Sequence, residues 1–297
     1  MPFAEIENGV RIHYSVVEPA APSGAEAGRD QAPRTVVLVQ GLGLSSRFWF
    51  DLPERLGADA RIAARVVTLD NRGTGRSDKP RGPYRMARLA DDVVAVLDAL
   101  RIASADVVGI SLGGMIAQHV ALRHPDRVSG LVLLATSPGL PHARLASPRI
   151  LAALVSLAFS PRGKPSQALP MLLLPKTQHH RVHELFAGWA EAAREDSPEL
   201  GPFFAQLTAA SLHSTGFRLG KLRVPTVVVT GAEDVLIPPR NSEILAQKIA
   251  GAVLEVIPDV GHAIPMLDAD VVARALLRLR DLERQVNAAA GDVARAV

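Results

Sequence analysis

Six short apolar runs punctuate this chain, at residues 36–39, 66–69, 107–110, 131–134, 227–229 and 254–257. They are mainly continuous rather than alternating, with Thr68 and Glu255 as interruptions. A strand with one solvated face alternates apolar and polar residues, whereas a strand covered on both faces reads as an unbroken apolar run. Between the runs lie stretches with apolar residues at helical spacing, 89–100, 116–123, 243–249 and 271–282. Parallel strands need a long crossover, and helices supply it while covering the sheet. The pattern predicts an α/β protein with a mostly parallel, doubly wound sheet. Residues 1–18 alternate instead, and Asn8-Gly9 marks the turn of an antiparallel pair. Residues 19–34, rich in Ala, Pro and Gly, read as a surface loop.

The rhythm stops between residues 138 and 221. Prolines 141, 148, 161, 165, 170 and 175 break that stretch, and helical spacing recurs at 149–159, 181–195 and 198–214. Ser197-Pro198 reads as a helix start, a capping hydroxyl followed by proline at the first helical position. An insertion of roughly 80 residues is too long for a plain connection in a compact domain. It is read as a helical cap. The expected division is therefore a core of residues 1–137 and 222–282, a cap of 138–221, and a polar tail of 283–297, loosely helical or disordered.

Composition excludes several classes of function. There is no cysteine, which removes disulfides, thiolate metal sites and a cysteine nucleophile. The net charge of +3 comes without a run of like charges or a basic stripe interleaved with aromatics, so a nucleic-acid partner is not expected. The first residues lack the basic-then-apolar order of a signal peptide. The longest apolar stretches, such as 150–159, are about half the ~20 residues that span a bilayer. A cytoplasmic protein without stable membrane insertion is the expectation, and the sequence leaves the oligomeric state open.

Chemistry enters at Gly109-Ile110-Ser111-Leu112-Gly113, which follows an apolar run and precedes a helical stretch. In that context G-x-S-x-G marks a strained strand-to-helix turn that exposes a serine hydroxyl. Such a hydroxyl is a weak nucleophile and needs a base, itself oriented by an acid. Two later strand ends offer them in the order acid, then base. Asp234 follows the run at 227–229, in Gly-Ala-Glu-Asp, and His262 follows the run at 254–257, in Pro-Asp-Val-Gly-His. Asp234 also fits a plain turn residue, and Glu233 is its adjacent rival, expected to point away. His119 and His124 read as structural or exposed. His179, His180 and His183 have helical spacing, but without a convincing carboxylate they read as a solvated helix start rather than a metal site. A developing oxyanion needs two backbone donors. The amide of Leu112, next to the serine, is one candidate. Gly-rich Gln40-Gly41-Leu42-Gly43 offers the amide of Leu42 as the other.

These motifs, with Trp49, Asp70-Asn71-Arg72-Gly73-Thr74-Gly75-Arg76-Ser77 and Pro238, resemble the α/β-hydrolase superfamily and its small capped serine hydrolases. The resemblance covers most of the chain outside the cap and tail. It implies a catalytic triad of Ser111, Asp234 and His262, an oxyanion hole from Leu42 and Leu112, and neither cofactor nor metal. It departs from the family in two places. Gln40 stands where histidine is usual, and Asp268 is a loose match to a glutamate that many relatives carry after the histidine. A serine nucleophile argues against epoxide opening and halide displacement, for which relatives use aspartate. The expected partner is a small-molecule ester or lactone of small to medium, hydrophobic character. Trp189, Phe186, Phe203 and Phe204 are available to line a pocket, with packing of the cap as the plainer reading for most of them. A low-turnover ligand receptor and a cofactor-free lyase or oxygenase use the same residues and remain alternatives at this point.

Overall fold

The computed structural model describes residues 2–20, 34–159, 168–185, 187–196 and 199–295. Its eight strands are β1 (Phe3–Glu5), β2 (Arg11–Val17), β3 (Arg34–Val39), β4 (Ala64–Leu69), β5 (Ala105–Ile110), β6 (Val128–Leu134), β7 (Thr226–Gly231) and β8 (Val253–Ile257). They form one sheet in the order β1-β2-β4-β3-β5-β6-β7-β8. β1 and β2 pair antiparallel, as do β2 and β4; every other neighbour is parallel. The continuous apolar runs have the expected cause. Val37, Val107, Leu131 and Val228 bury against one layer, while Val36, Val108, Val132 and Val227 bury against the other. Each such side chain contributes about 1.5–3 kcal/mol by leaving water.

The helices are α1 (Leu52–Ala58), α2 (Met86–Ala99), α3 (Leu112–Arg123), α4 (Pro148–Ser156), α5 (Leu169–Leu173), α6 (Val182–Leu185), α7 (Ala187–Glu195), α8 (Leu200–Ser211), α9 (Arg240–Lys248), α10 (Ile264–Leu267) and α11 (Val271–Arg295). α2, α3 and α9 cover one face of the sheet, and α1 and α11 the other. α4 to α8 lie between β6 and β7; α4 to α7 pack on Phe48, Leu236 and Ala263 in loops of the sheet, while α8 buries Ala205 and Ala209 against the layer of α2 and α3. No helix among the described residues is long and apolar enough to cross a membrane.

Several boundaries differ from expectation. α3 begins at Leu112 rather than 116 because Gly113 and Gly114 carry no apolar side chain to mark its first turn. The short helices α1, α5 and α10 escape a periodicity reading, having 7, 5 and 4 residues. α11 runs past residue 282 to Arg295, through Ala-rich sequence of high helix propensity. Asn8 and Gly9 both take left-handed backbone, but the β1–β2 connection is wider than two residues and is closed by Ile6 N–H donating to Val10 O at 2.8 Å. Most of the expected surface loop (residues 21–33), Ser197-Pro198 and Phe186 lie outside the described residues.

The two connections to the inserted helices are clamped by α3. Gly139 and Ser214 form an antiparallel bridge, and Thr215 N–H donates to Pro138 O at 2.9 Å. Gln118 Nε2 donates to Ser137 O at 3.0 Å, and its Oε1 accepts from Thr215 Oγ1 at 2.6 Å. His213 Nε2 lies 3.0 Å from Ser137 O, and its Nδ1 lies 3.2 Å from His119 Nε2. A carbonyl only accepts, so His213 carries its proton on Nε2 and His119 donates from Nε2. His119 is thus structural, as expected. Burial, then the neighbouring His213, pushes the His119 pKa down to about 3, and burial pushes His213 down to about 4. In the unfolded chain both titrate near 6.5. Below that value the unfolded chain takes up protons that the native rings refuse. Stability that is complete above about pH 6.5 is therefore lost as pH falls, by up to ~1.4 kcal/mol per pH unit for each ring until the native rings protonate. Urea midpoints at pH 7 and pH 5 should differ accordingly. Replacing both rings (His119→Gln with His213→Gln) should shrink the difference, and an undiminished one would assign the acid sensitivity elsewhere.

Candidate active site

Ser111 sits between β5 and α3 with φ 55° and ψ −118°. A non-glycine residue in that region stores about 1–3 kcal/mol of strain. Its backbone is held on both sides: Ser111 N–H donates to Leu134 O at 2.9 Å, and Ser111 O accepts from Thr136 Oγ1 at 2.7 Å and from the amides of Gly114 at 3.0 Å and Met115 at 3.2 Å. The turn is so tight that a Cβ on Gly109 would fall 2.3 Å from Gly113 O. The result projects the Ser111 side chain into a cavity beyond the sheet.

Asp234 lies three residues past the end of β7 and His262 five past the end of β8; both are buried. Asp234 Oδ1 accepts from the amides of Leu236 at 2.9 Å and Ile237 at 2.8 Å, and its Oδ2 meets His262 Nδ1 at 2.7 Å. A carboxylate can only accept, so His262 carries a proton on Nδ1, and in the neutral ring Nε2 is the nitrogen with the lone pair. Glu233 is exposed, pointing away as expected. His262 and Ser111 line the same cavity, and no hydrogen bond joins them; such contacts are often long before a substrate binds.

The loop after β3 abuts the serine: a Cβ on Gly41 would lie 3.5 Å from Ser111 Cβ and 4.0 Å from its Oγ. Three amides flanking that of Leu42 are engaged. Gly41 N–H donates to Gln40 Oε1 at 2.8 Å, Gly43 N–H to Gln206 Oε1 at 3.0 Å, and Leu44 N–H to Gly41 O at 3.3 Å. The last bond orients the peptide between Gly41 and Leu42. In a trans peptide the N–H points opposite to the C=O, so Leu42 N–H is turned away from Leu44. Among the described residues the amides of Leu42 and Leu112 have no hydrogen-bond partner. Gln40 answers for the histidine usual at its position: its side chain fixes the next amide, and its carbonyl accepts from Asn71 Nδ2 at 2.9 Å. Asp70 anchors the far side of the loop through Ser46 N–H and Oγ, each at 2.7 Å. Asp268 is turned to the surface, where its bonds to Arg274 hold its carboxyl below the usual range.

The cavity has a volume of about 170 Å³. Of the four aromatics expected to be available, Trp189 lines it and packs on Phe48 with ring centroids 4.8 Å apart. Phe203 is buried but packs elsewhere, and Phe204 is half-exposed. Most of the lining is aliphatic: Leu154, Leu172 and Leu207 from the inserted helices, Leu236 and Ile237 after Asp234. Among the described residues no Asp, Glu, Lys or Arg lines it. The leucines gave no advance signal, because apolar residues that line a pocket and those that pack a core look alike in sequence. Gln206 did carry one, being an amide on the otherwise apolar buried face of α8, with Phe203, Ala205 and Ala209.

A Variovorax paradoxus (strain S110) protein, named for carbamate hydrolysis as RutD, is 33% identical over 269 residues, covering 90% of this chain and 94% of that one. The poly(3-hydroxyalkanoate) depolymerase of Ectopseudomonas oleovorans is 31% identical over 256 residues, covering 84% and 85%. The solved structure of Est816, described as an N-acyl homoserine lactone degrading enzyme, superposes with a TM-score of 0.71 at 28% identity, covering 93% of this chain and 99% of that one. The model of the α/β hydrolase fold matches residues 34–269, and this chain belongs to the α/β-hydrolase family.

Proposed function

We propose that this chain is a serine hydrolase that cleaves carboxylic esters or lactones with an uncharged, apolar acyl part. The observation that carries the reading is the Asp234–His262 bond, which leaves a basic imidazole nitrogen in the same apolar cavity as Ser111. In this reading Ser111 Oγ attacks the carbonyl carbon while His262 Nε2 takes its proton. The amides of Leu42 and Leu112 hold the oxyanion, and backbone donors of this type are worth about 3–4 kcal/mol each. Collapse of the tetrahedral intermediate expels the alcohol, which takes the proton back from His262. Water then repeats the sequence on the acyl-enzyme, and Asp234 fixes the tautomer and stabilises the transient imidazolium. None of these steps calls on a cofactor.

The pocket argues for the substrate class. A charged acyl group entering it would lose its hydration without gaining a counter-ion, which is costly. The volume of about 170 Å³ slightly exceeds that of an apolar cavity of ~150 Å³ that accepts benzene. A small to medium aliphatic or aryl group fits. The polyester and lactone named for two of the relatives are uncharged at the scissile group, in keeping with this choice. We assign residues 138–221 as the cap that closes the pocket over a core of residues 1–137 and 222–282.

Labelling with a fluorophosphonate probe tests the reading. One adduct should form on the native chain, map to the peptide holding Ser111, and be absent from Ser111→Ala. Among p-nitrophenyl esters, neutral acyl groups should be turned over well ahead of succinyl or other carboxylate-bearing ones. A native chain that takes no label would return the low-turnover receptor and the non-hydrolytic chemistries to the front.

A further inference from the structure

Resting on the serine-hydrolase reading, we infer that Gln206 of the cap is a positioning residue for the oxyanion loop. The cap then completes the oxyanion site as well as covering the pocket. Gln206 is fully buried in α8. A buried amide is costly unless both of its ends are satisfied. Here both are, by two different loops of the core. Oε1 accepts from Gly43 N–H at 3.0 Å, and Nε2 donates to Arg72 O at 2.8 Å. The partners dictate the amide's orientation, because an N–H only donates and a carbonyl only accepts.

The position of that bond matters for the reaction. The peptide bearing Leu42 N–H lies between two others. The one before it is held by Gln40 Oε1 on Gly41 N–H, and the one after it by Gln206 on Gly43 N–H. Gly43 has φ +70°, a left-handed conformation that glycine enters and leaves at little cost, so that bond fixes the rotation of the Leu42–Gly43 peptide. Arg72, the other partner, is fixed by a buried two-bond pair with Asp92 at 2.6 and 2.5 Å, so the amide is braced against a rigid point. A second cap residue grips the same loop further along. Asp196, past the end of α7, accepts from Ser45 Oγ at 2.6 Å and pairs with Arg47 Nε at 3.2 Å. Core residues Asn71 and Asp70 hold the loop from the opposite side.

The test compares three variants with the native chain in ester hydrolysis and in binding of an alkyl- or arylboronic acid. The boronic acid adds to the serine as a tetrahedral adduct that places an oxygen in the oxyanion hole. Gln206→Met keeps length and apolar bulk but loses both bonds. It should lower kcat by about 10- to 100-fold, the scale of a misplaced oxyanion donor, and weaken the boronic acid by a similar factor. KM should stay within about threefold of native, because ground-state contacts with the acyl chain survive. Thr215→Val, which removes a different buried bond at the root of the cap, is the structural control and should change neither kcat nor boronic-acid affinity. Gln206→Glu supplies a pH readout. Protonated, the carboxylic acid reproduces the amide, accepting from Gly43 and donating to Arg72 O; ionised, it cannot donate. Its kcat relative to native should fall as pH rises. Unchanged kcat and boronic-acid affinity in Gln206→Met, or losses no greater than in Thr215→Val, would overturn the assignment. Should Gln206→Met not fold, a pH-independent ratio in Gln206→Glu would overturn it equally. A native chain that neither hydrolyses esters nor binds the boronic acid would overturn the hydrolase reading itself, and this inference with it.

Discussion

Ser111→Ala should lower kcat on the best ester substrate by about 10⁴- to 10⁶-fold while leaving KM and the thermal midpoint close to native. The size follows from how the parts depend on one another. His262 has no proton to take without the hydroxyl, so losing the nucleophile disables the base as well. What survives is orientation in the pocket and the amides of Leu42 and Leu112, which have no partner among the described residues. The fold should hold because the elbow is fixed by backbone bonds, from Ser111 N–H to Leu134 O and from Thr136 Oγ1 to Ser111 O, which alanine retains. Asp234→Asn is the companion experiment, with an expected loss of about 10⁴-fold. The amides of Leu236 and Ile237 would still claim the side-chain oxygen, turning the new NH₂ toward His262 and forcing the wrong tautomer. Steady-state kinetics of the purified variants decide both. Turnover by Ser111→Ala within a hundredfold of native would remove the serine from the mechanism.

Gly113→Ala should be among the most damaging single-methyl changes in the chain. A Cβ there would lie 2.0 Å from Val39 O and 2.8 Å from Gln40 O. These are backbone atoms at the end of a central strand, so neither neighbour can rotate aside. The expected loss is about 3 kcal/mol, the upper end of overpacking, or a fall of roughly 6–12 °C in thermal midpoint for a chain of this size. Activity should fall further than stability explains, because relief of the clash pushes the oxyanion loop away from Ser111. Gly201→Ala is the contrast: nothing lies within 4 Å of its Cβ, and alanine in a helix is favoured over glycine by up to about 1 kcal/mol. Calorimetry of the two variants measures the difference directly. A Gly113→Ala protein as stable and active as Gly201→Ala would mean that α3 and β3 leave room for a methyl group between them.

The sequence announced those parts of the site that are made by local chain geometry. Gly109 to Gly113 encodes a turn whose tightness admits no larger side chain at its glycines, and that requirement is visible as letters in a row. Asp234 and His262 were legible for a related reason. In a parallel sheet the strand ends converge, so a titratable residue shortly after an apolar run lands at the same edge as the serine. Leu42 and Leu112 could be named because backbone donors depend on position, not on side-chain type. The fold class followed from the mainly unbroken apolar runs, which require cover on both faces.

What the sequence by itself determined, then, was the sheet, its helices, and the order in which Ser111, Asp234 and His262 reach one edge. Tertiary structure alone decided how the loop after β3 is held and what lines the pocket. Gln206 is separated from Gly43 by 163 residues, Asp196 from Ser45 by 151, and His213 from His119 by 94. No local periodicity links such pairs, because a hydrogen bond between distant segments depends on where the whole sheet and cap place them. The pocket's lack of charge is likewise a collective property. It arises from leucines of four or more elements meeting over Ser111, and each of them, read alone, looks like any other core residue.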